Sequence, residues 1–147
     1  MVKEQTKLSI LLVEDNEDDV LIAQRAFKEF TVISEVSVAH DGQEALDMLY
    51  AAGRYSAAKP LRPSMILLDI TLPLMDGMAV LKKLKADQTL RGIPVIMLTT
   101  SSRHEDIVRC YENGAASYIT KPASLEEFLE LARKFEMYWV SVSKLPV

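Results

Sequence analysis

Residues 66–77 read ILLDITLPLMDG: four apolar residues run directly into Asp69, and a turn at Asp76-Gly77 follows. A stretch of strand length that is apolar at every position is typical of a parallel strand covered by helices on both faces. In such sheets, ligands bind beyond the carboxyl ends of the strands. The stretch therefore predicts an α/β fold, and it raises the question of which other polar residues reach the same edge as Asp69.

The composition is that of one ordinary globular domain. The chain has 147 residues, of which 49% are hydrophobic and 26% are charged, enough to bury a substantial core. A net charge of −4 and the lack of a basic run argue against nucleic acid or an anionic membrane as partner. The lone cysteine, Cys110, excludes an internal disulfide and favours a reducing cytoplasm, and no apolar stretch reaches membrane-spanning length.

Strand and helix patterns alternate five times along the chain. Three of the strand-like runs are apolar on both faces, which a parallel sheet between two helix layers requires. The run at 35–39 has a polar face and is predicted as an edge strand, and 54–64 is a long connection with two prolines. The predicted fold class is α/β, with a doubly wound five-stranded parallel sheet. Strands are expected at 8–13, 35–39, 65–70, 93–100 and 116–120, and helices at 20–30, 41–53, 75–87, 103–114 and from 124 to about 143.

Chemically reactive side chains stand at or directly after four of these strands: Glu14 and Asp15, Asp69, Thr99, and Lys121. Each alone has an ordinary structural explanation, such as an acidic first helical turn, a β-forming threonine or a solvated lysine. Parallel strands bring all five to one edge of the sheet, so their coincidence favours a functional site.

The carboxylates of Glu14, Asp15 and Asp69 form the acidic part of this set. Clustered carboxylates repel one another unless a cation compensates, and an all-oxygen ligand set suits Mg²⁺. An aspartate beside such an ion can act as a nucleophile on phosphorus, while a lysine and a hydroxyl donate to the phosphoryl oxygens. The sequence therefore predicts Mg²⁺-dependent phosphorylation of Asp69, assisted by Thr99 and Lys121.

Four segments, LLVEDN, ILLDITLPLMDG, PVIMLTT and GAASYITKP, resemble in order and spacing the receiver domains of two-component response regulators. The resemblance covers roughly residues 8–135. It implies a flavodoxin-like fold with strand order 2-1-3-4-5. We expect residues 1–147 to form a single receiver domain with an extended C-terminal helix and tail.

The resemblance also implies how this family's phosphoacceptor and metal residues map onto the chain. Asp69 is the expected phosphoacceptor and a ligand of the metal. Asp15 is expected to bind Mg²⁺ directly and Glu14 through water, and Thr71 stands where the family uses a backbone carbonyl.

A second set of residues corresponds to the family's switch. Thr99 is expected to move its hydroxyl toward the phosphoryl group, Lys121 to bridge that group, and Tyr118 to change rotamer together with Thr99. The Lys121-Pro122 bond is expected to be cis. Thr100 departs from the family, in which a small residue commonly follows the switch threonine.

The expected function is that of a stand-alone response regulator which receives its phosphoryl group from a sensor histidine kinase and is not a turnover enzyme. No output domain follows before Val147, so signalling is expected through partner binding or dimerisation. The long 54–64 loop, the Thr99-Thr100 pair and the YW…LP ending are similar to regulators paired with bacterial and cyanobacterial phytochrome kinases.

The last helix carries more large apolar residues than one core-facing stripe accommodates. Leu131, Met137, Tyr138 and Trp139 are the surplus. They fit a wide buried face, scattered exposed apolar residues or a homodimer surface. All three explanations remain open, and a homodimer through the last helix is the expected partner arrangement.

Two other functional classes stay as alternatives. A phosphatase of the haloacid dehalogenase type also uses an aspartate nucleophile, but it places a second aspartate two residues on, where this chain has Thr71. A receiver-like module that binds partners without phosphorylation is the other alternative, and the complete site residue set argues against it.

Overall fold

The computed structural model describes residues 8–30, 33–100 and 103–137. Five parallel strands form one sheet in the order β2-β1-β3-β4-β5, which is the order that the family resemblance implied. The predicted edge strand, β2, does lie at an edge. The strands are β1 (Leu8–Val13), β2 (Ile33–Ala39), β3 (Met65–Asp69), β4 (Val95–Thr99) and β5 (Ser117–Thr120), and the helices are α1 (Glu17–Lys28), α2 (Gly42–Tyr50), α3 (Gly77–Ala86), α4 (His104–Glu112) and α5 (Leu125–Phe135).

The core has two layers, one on each face of the sheet. Successive residues of a strand point to opposite faces, so Ile66 and Leu68 of β3 pack with α2 and α3. Met65 and Leu67 pack with α1 and α5 on the other face. All five residues of β3 are buried, which is why its sequence is apolar up to Asp69.

Local capping fixes where the helices begin. The Asn16 side chain accepts a hydrogen bond from the Asp19 amide at 3.0 Å, so α1 starts three residues before its apolar pattern does. The predicted cap at Ser124 is present, with its hydroxyl accepting from the Glu127 amide at 3.2 Å. Within the described ranges, no helix is long and apolar enough to cross a membrane.

The 54–64 connection is hydrogen-bonded to α2 near both of its ends. It opens with a short 3-10 turn, and the Arg54 guanidinium and Tyr55 hydroxyl both donate to the buried carboxylate of Glu44. Farther along, the guanidinium of Arg62 donates to the Leu49 carbonyl at 2.7 Å. These contacts fasten the first residues of the loop near the start of α2 and its last residues near the end of α2.

Part of the surplus apolar set of the last helix belongs to the core. Leu131 is only 8% exposed and packs in the layer that contains Phe27 and Phe128, so counting it as surplus was wrong. It lies on the stripe that α5 turns toward the sheet and α1. Tyr138 and Trp139 lie outside the described residues, as does the predicted continuation of the helix to about residue 143.

The expected cis bond between Lys121 and Pro122 is not observed. The described residues contain no cis peptide bond, so that expectation is wrong. The trans form is the lower-energy isomer even before proline. With the trans bond, the Lys121 ammonium contacts the carboxylates of Glu14 and Asp69.

Candidate functional site

The strand register brings the predicted residues to one edge of the sheet. Val13 of β1 pairs with Leu68 of β3, so Glu14 and Asp69 are the next residues at the carboxyl ends of two neighbouring strands. On the other side of β3, Asp69 pairs with Leu98 of β4. The central position of β3 in the sheet therefore places Asp69 between the residues supplied by β1 and those supplied by β4.

Lys121 is the cation at the centre of this edge. Its ammonium nitrogen lies 2.5 Å from Oε1 of Glu14, 2.9 Å from Oδ2 of Asp19 and 3.0 Å from Oδ2 of Asp69. The Lys121 side chain is only 12% exposed, and the side chains of Glu14 and Asp69 are 2% and 7% exposed. One buried cation thus partly neutralises three carboxylates that come from three different elements of the fold.

Asp19 is the site residue that sequence reasoning missed. The acidic run EDNEDD at 14–19 is typical of a favourable first helical turn, which gives Asp19 an ordinary structural explanation. A signal was nevertheless present, because Asp19 begins the stripe that continues with the buried residues Ala23, Ala26 and Phe27. A carboxylate on the core-facing stripe of a helix needs a partner, and Lys121 is that partner.

Three carboxylates converge as a candidate metal site. Oxygens of Glu14, Asp15 and Asp69 all lie within 4.8 Å of one another. Glu14 and Asp69 are buried whereas Asp15 is exposed, so one side of the cluster faces solvent. A hard ion such as Mg²⁺ takes few protein carboxylates and keeps several waters, and this half-open, all-oxygen arrangement fits that requirement.

Backbone groups fix the orientation of the buried carboxylates. The amide of Thr71 donates to Oδ1 of Asp69 at 3.0 Å, and the amide of Asn16 donates to Oε2 of Glu14 at 3.1 Å. Thr71 is exposed, and its amide is the group that touches Asp69. With Oδ2 held by Lys121, both oxygens of Asp69 accept hydrogen bonds, and its side chain is fixed in one orientation.

Gly77 lets the start of α3 approach the backbone of Asp69. The Gly77 amide donates to the Ile70 carbonyl at 2.8 Å. A Cβ atom at position 77 would lie 2.1 Å from the carbonyl oxygen of Asp69 and 2.8 Å from the Cα of Ile70. The Asp76-Gly77 turn noted in the sequence is therefore packed directly against the candidate phosphoacceptor.

The electrostatics of the cluster follow from burial and from Lys121. Burial raises the pKa of Glu14 to about 7, although hydrogen bonds from Lys121 and the Asn16 amide act in the opposite direction. For Lys121, burial lowers the pKa, but hydrogen bonds to Glu14, Asp19 and Asp69 outweigh it and hold the pKa above its usual range. The ammonium therefore stays charged, and the cluster keeps a net negative charge that favours a divalent cation.

Thr99 and Tyr118 lie on the face of the sheet that α2 and α3 cover. Thr99 ends β4 and is 3% exposed. Tyr118 pairs with Met97, two residues before Thr99, so Tyr118 and Thr99 are on the same face. Tyr118 is half-buried against the α2 and α3 layer, whereas Thr100 is exposed. The expected switch pair thus shares one face of two neighbouring strands.

Sequence comparison identifies the family to which this architecture belongs. Residues 10–133 match the response regulator receiver domain. The chain is 36% identical over 137 residues to response regulator Rcp1 of Synechocystis sp., covering 93% of this chain and 92% of that protein. It is 37% identical over 139 residues to the probable methanogenesis regulatory protein FilR2 of Methanothrix harundinacea, covering 93% and 86%.

Solved structures agree with this assignment. The phosphorylated cyanobacterial phytochrome response regulator RcpA has a TM-score of 0.86 at 40% identity, covering 96% of this chain and 99% of RcpA. The Mn²⁺-bound form of Rcp1 has a TM-score of 0.84 at 35% identity, covering 95% and 99%. The chain therefore belongs to the response regulator receiver domain family, as its motifs had indicated.

Proposed function

We propose that this protein is a response regulator that accepts a phosphoryl group on Asp69 from a histidine kinase in a Mg²⁺-dependent reaction. The observation that carries the proposal is the position of Asp69. Its carboxylate is hydrogen-bonded to Lys121 at 3.0 Å and shares a cluster with Glu14 and Asp15. A nucleophile, a charged donor and a set of metal ligands are the groups that phosphoryl transfer to an aspartate requires.

The proposed reaction joins a carboxylate oxygen of Asp69 to phosphorus as the bond between phosphorus and the kinase imidazole nitrogen breaks. The electron pair of the broken bond stays on that nitrogen. The Lys121 ammonium and the Thr99 hydroxyl donate hydrogen bonds to the transferred phosphoryl oxygens. Asp15, Asp69, the Thr71 carbonyl and, through water, Glu14 would hold Mg²⁺, which would supply positive charge for those oxygens.

The protein is proposed to act as a phosphoacceptor and not as an enzyme that turns over a substrate. An aspartate-nucleophile phosphatase needs a general acid near its nucleophile, and the residue two positions after Asp69 is Thr71. The other alternative is an interaction module that works without phosphorylation. It does not explain why Asp69 and Lys121 form a buried pair. Signalling then follows from a change in partner binding or in self-association once Asp69 is modified.

A phytochrome histidine kinase is the partner that we propose. The likeness to RcpA and Rcp1 supports it, and the 54–64 loop is one of the three sequence features that resemble this subgroup. FilR2, a probable methanogenesis regulatory protein, is equally similar in sequence, so the proposed partner rests on the likeness to RcpA and Rcp1 and not on family membership alone. We propose a cytoplasmic location because the lone cysteine, buried Cys110, is free.

We also propose that the protein forms a homodimer through α5. Met137, just beyond the end of this helix, is 61% exposed. A hollow of about 310 Å³ between β5 and α5 is lined by apolar groups that include Ile119 and Phe135. Tyr118 precedes Ile119 on β5, but its side chain is on the opposite face of the sheet, so a rearrangement of Thr99 and Tyr118 would reach this surface through the backbone of β5.

Phosphotransfer from a kinase tests the proposed function as a whole. An autophosphorylated phytochrome histidine kinase, and a histidine kinase with an unrelated sensor, are each mixed with the protein in Mg²⁺ buffer. With the kinase phosphate radiolabelled, the phytochrome kinase should lose its label within seconds and the regulator should gain it. The Asp69→Asn variant should gain none. Equal transfer from both kinases contradicts the partner, and transfer to Asp69→Asn contradicts the site.

A further inference from the structure

We infer that Asp19 is a positioning residue for Lys121, which keeps the ammonium group at the site while Mg²⁺ and a phosphoryl group occupy the other carboxylates. The inference rests on the proposed function and adds a residue to it. It is carried by the contact of 2.9 Å between Oδ2 of Asp19 and the Lys121 nitrogen.

All the hydrogen-bonding capacity of Lys121 is used in this structure. A lysine ammonium has three donors, and three carboxylates from three parts of the fold lie within 2.5–3.0 Å of it. Glu14 follows β1, Asp69 ends β3 and Asp19 projects from α1. Any ligand that binds a carboxylate oxygen of Glu14 or Asp69 must therefore compete with the Lys121 ammonium.

Asp19 differs from the other two partners because it is not part of the converging metal cluster. The oxygens that lie within 4.8 Å of one another belong to Glu14, Asp15 and Asp69. When Mg²⁺ engages these three, the Lys121 contacts with Glu14 and Asp69 weaken, whereas the contact with Asp19 is left intact. Asp19 thus keeps the Lys121 ammonium beside the position that a phosphoryl group on Asp69 would take.

The local structure holds Asp19 in place for this role. Its amide donates to the Asn16 side chain at 3.0 Å, which fixes the first turn of α1. One turn later the same helix face is anchored by Ala23, which is fully buried. The Asp19 side chain is 28% exposed, so water weakens its attraction to the Lys121 ammonium only in part.

Charge alone does not account for Asp19. Without Lys121, a fourth carboxylate at this edge would only add to the repulsion among Glu14, Asp15 and Asp69. The first turn of α1 already carries Glu17 and Asp18, which serve the helix dipole from exposed positions. The distinct property of Asp19 is its direct contact with Lys121.

The test observes the Lys121 ammonium itself by nitrogen-15 NMR, with assignment by Lys121→Arg. In the wild type, the signal should persist when Mg²⁺ is added, because Asp19 still accepts a hydrogen bond. In Asp19→Asn, Mg²⁺ should increase the exchange of the ammonium protons with water by about tenfold, the effect of losing one charge-assisted hydrogen bond. Asp19→Glu should recover part of the protection.

Asp18→Asn is the matched control, because it removes an exposed carboxylate from the same helical turn, and it should behave as the wild type. Protection in Asp19→Asn equal to that of the wild type with Mg²⁺ bound overturns the inference. This readout needs no phosphoryl group, so a failure of Asp69 to be phosphorylated is seen separately. Backbone amide signals of Asp15 and Asp69 that do not respond to Mg²⁺ would contradict the metal site and, with it, the inference.

Discussion

The ammonium nitrogen of Lys121 lies 3.0 Å from Oδ2 of Asp69, although the two residues are 52 positions apart in the chain. Asp69 ends β3 and Lys121 directly follows β5, so the contact spans the end of β4. Both side chains are largely buried, and removing one partner of such a pair leaves the other charge uncompensated. The fold therefore holds the proposed phosphoacceptor and its cation together.

Asp15 is expected to serve the metal and not the fold. Asp15→Asn should weaken Mg²⁺ binding by at least about tenfold, because an exposed carboxylate ligand is lost. The melting temperature in metal-free buffer should stay unchanged or rise, because repulsion with Glu14 and Asp69 is removed. Calorimetric titration and thermal denaturation measure the two effects. Marked destabilisation without metal would instead assign Asp15 a structural role, and Asp18→Asn provides the control for charge.

Mg²⁺ binding is expected to depend on pH through Glu14. Its pKa is about 7 in the folded protein and 4.5 ordinarily, so between these values the folded state binds more protons than the unfolded chain. The contribution of Glu14 to the free energy of unfolding therefore falls as pH rises from about 4.5 to about 7. Because the proton competes with the metal, Mg²⁺ affinity should increase over this range and level off above it.

Titrations at several pH values test this dependence on Glu14. Glu14→Gln removes the titrating group, so its Mg²⁺ affinity should be lower and should vary less between about pH 6 and about pH 8. The wild type should show the larger change over the same range. Identical pH profiles for the two proteins would mean that another group controls the metal.

The close approach of Gly77 to Asp69 predicts a specific effect of a single added methyl group. Gly77→Ala should lower the free energy of unfolding by about 1–3 kcal/mol and slow phosphorylation, because Cβ meets the Asp69 carbonyl. Gly92→Ala is the control, since a Cβ there has no neighbour within 4 Å. Its stability should change by no more than about 0.5 kcal/mol. Chemical denaturation checks both, and equal effects would refute the steric explanation.

Self-association through α5 predicts that a charge at Met137 weakens the dimer. Light scattering on the wild type should give a dimer, and Met137→Glu should shift the mass toward the monomer. Leu74→Glu is the matched control, because Leu74 is 99% exposed on the loop before α3, away from α5. A wild type that is monomeric at every concentration contradicts the proposal. If Met137→Glu leaves the dimer unchanged, the interface lies elsewhere on the protein.

The sequence predicted those features that depend on local pattern. The buried run of β3, the alternation of strands with helices and the cap at Ser124 are all present because periodicity and capping act over a few residues. The gathering of Glu14, Asp69 and Lys121 also follows from the parallel register, which brings successive strand ends to one edge. Short-range patterns and the order of parallel strands are sufficient to predict these features.

Features that depend on packing between distant elements were not predicted. The role of Asp19 requires knowing that the core-facing stripe of α1 begins beside Lys121. The burial of Leu131 depends on how closely α5 packs against α1 and the sheet, where Phe27 and Phe128 meet edge to face with their centroids 6.4 Å apart. The width of such a face is set by the neighbouring helix and not by the sequence of α5 alone.

Phosphorylation of Asp69 is the central claim, and intact-protein mass spectrometry after incubation with acetyl phosphate tests it most directly. With Mg²⁺ present, the wild type should gain the mass of one phosphoryl group, and chelation of the metal should abolish the gain. Asp69→Asn, which keeps the shape of the side chain but removes the nucleophilic carboxylate, should gain nothing. An Asp69→Asn protein that is modified at the rate of the wild type would contradict the account.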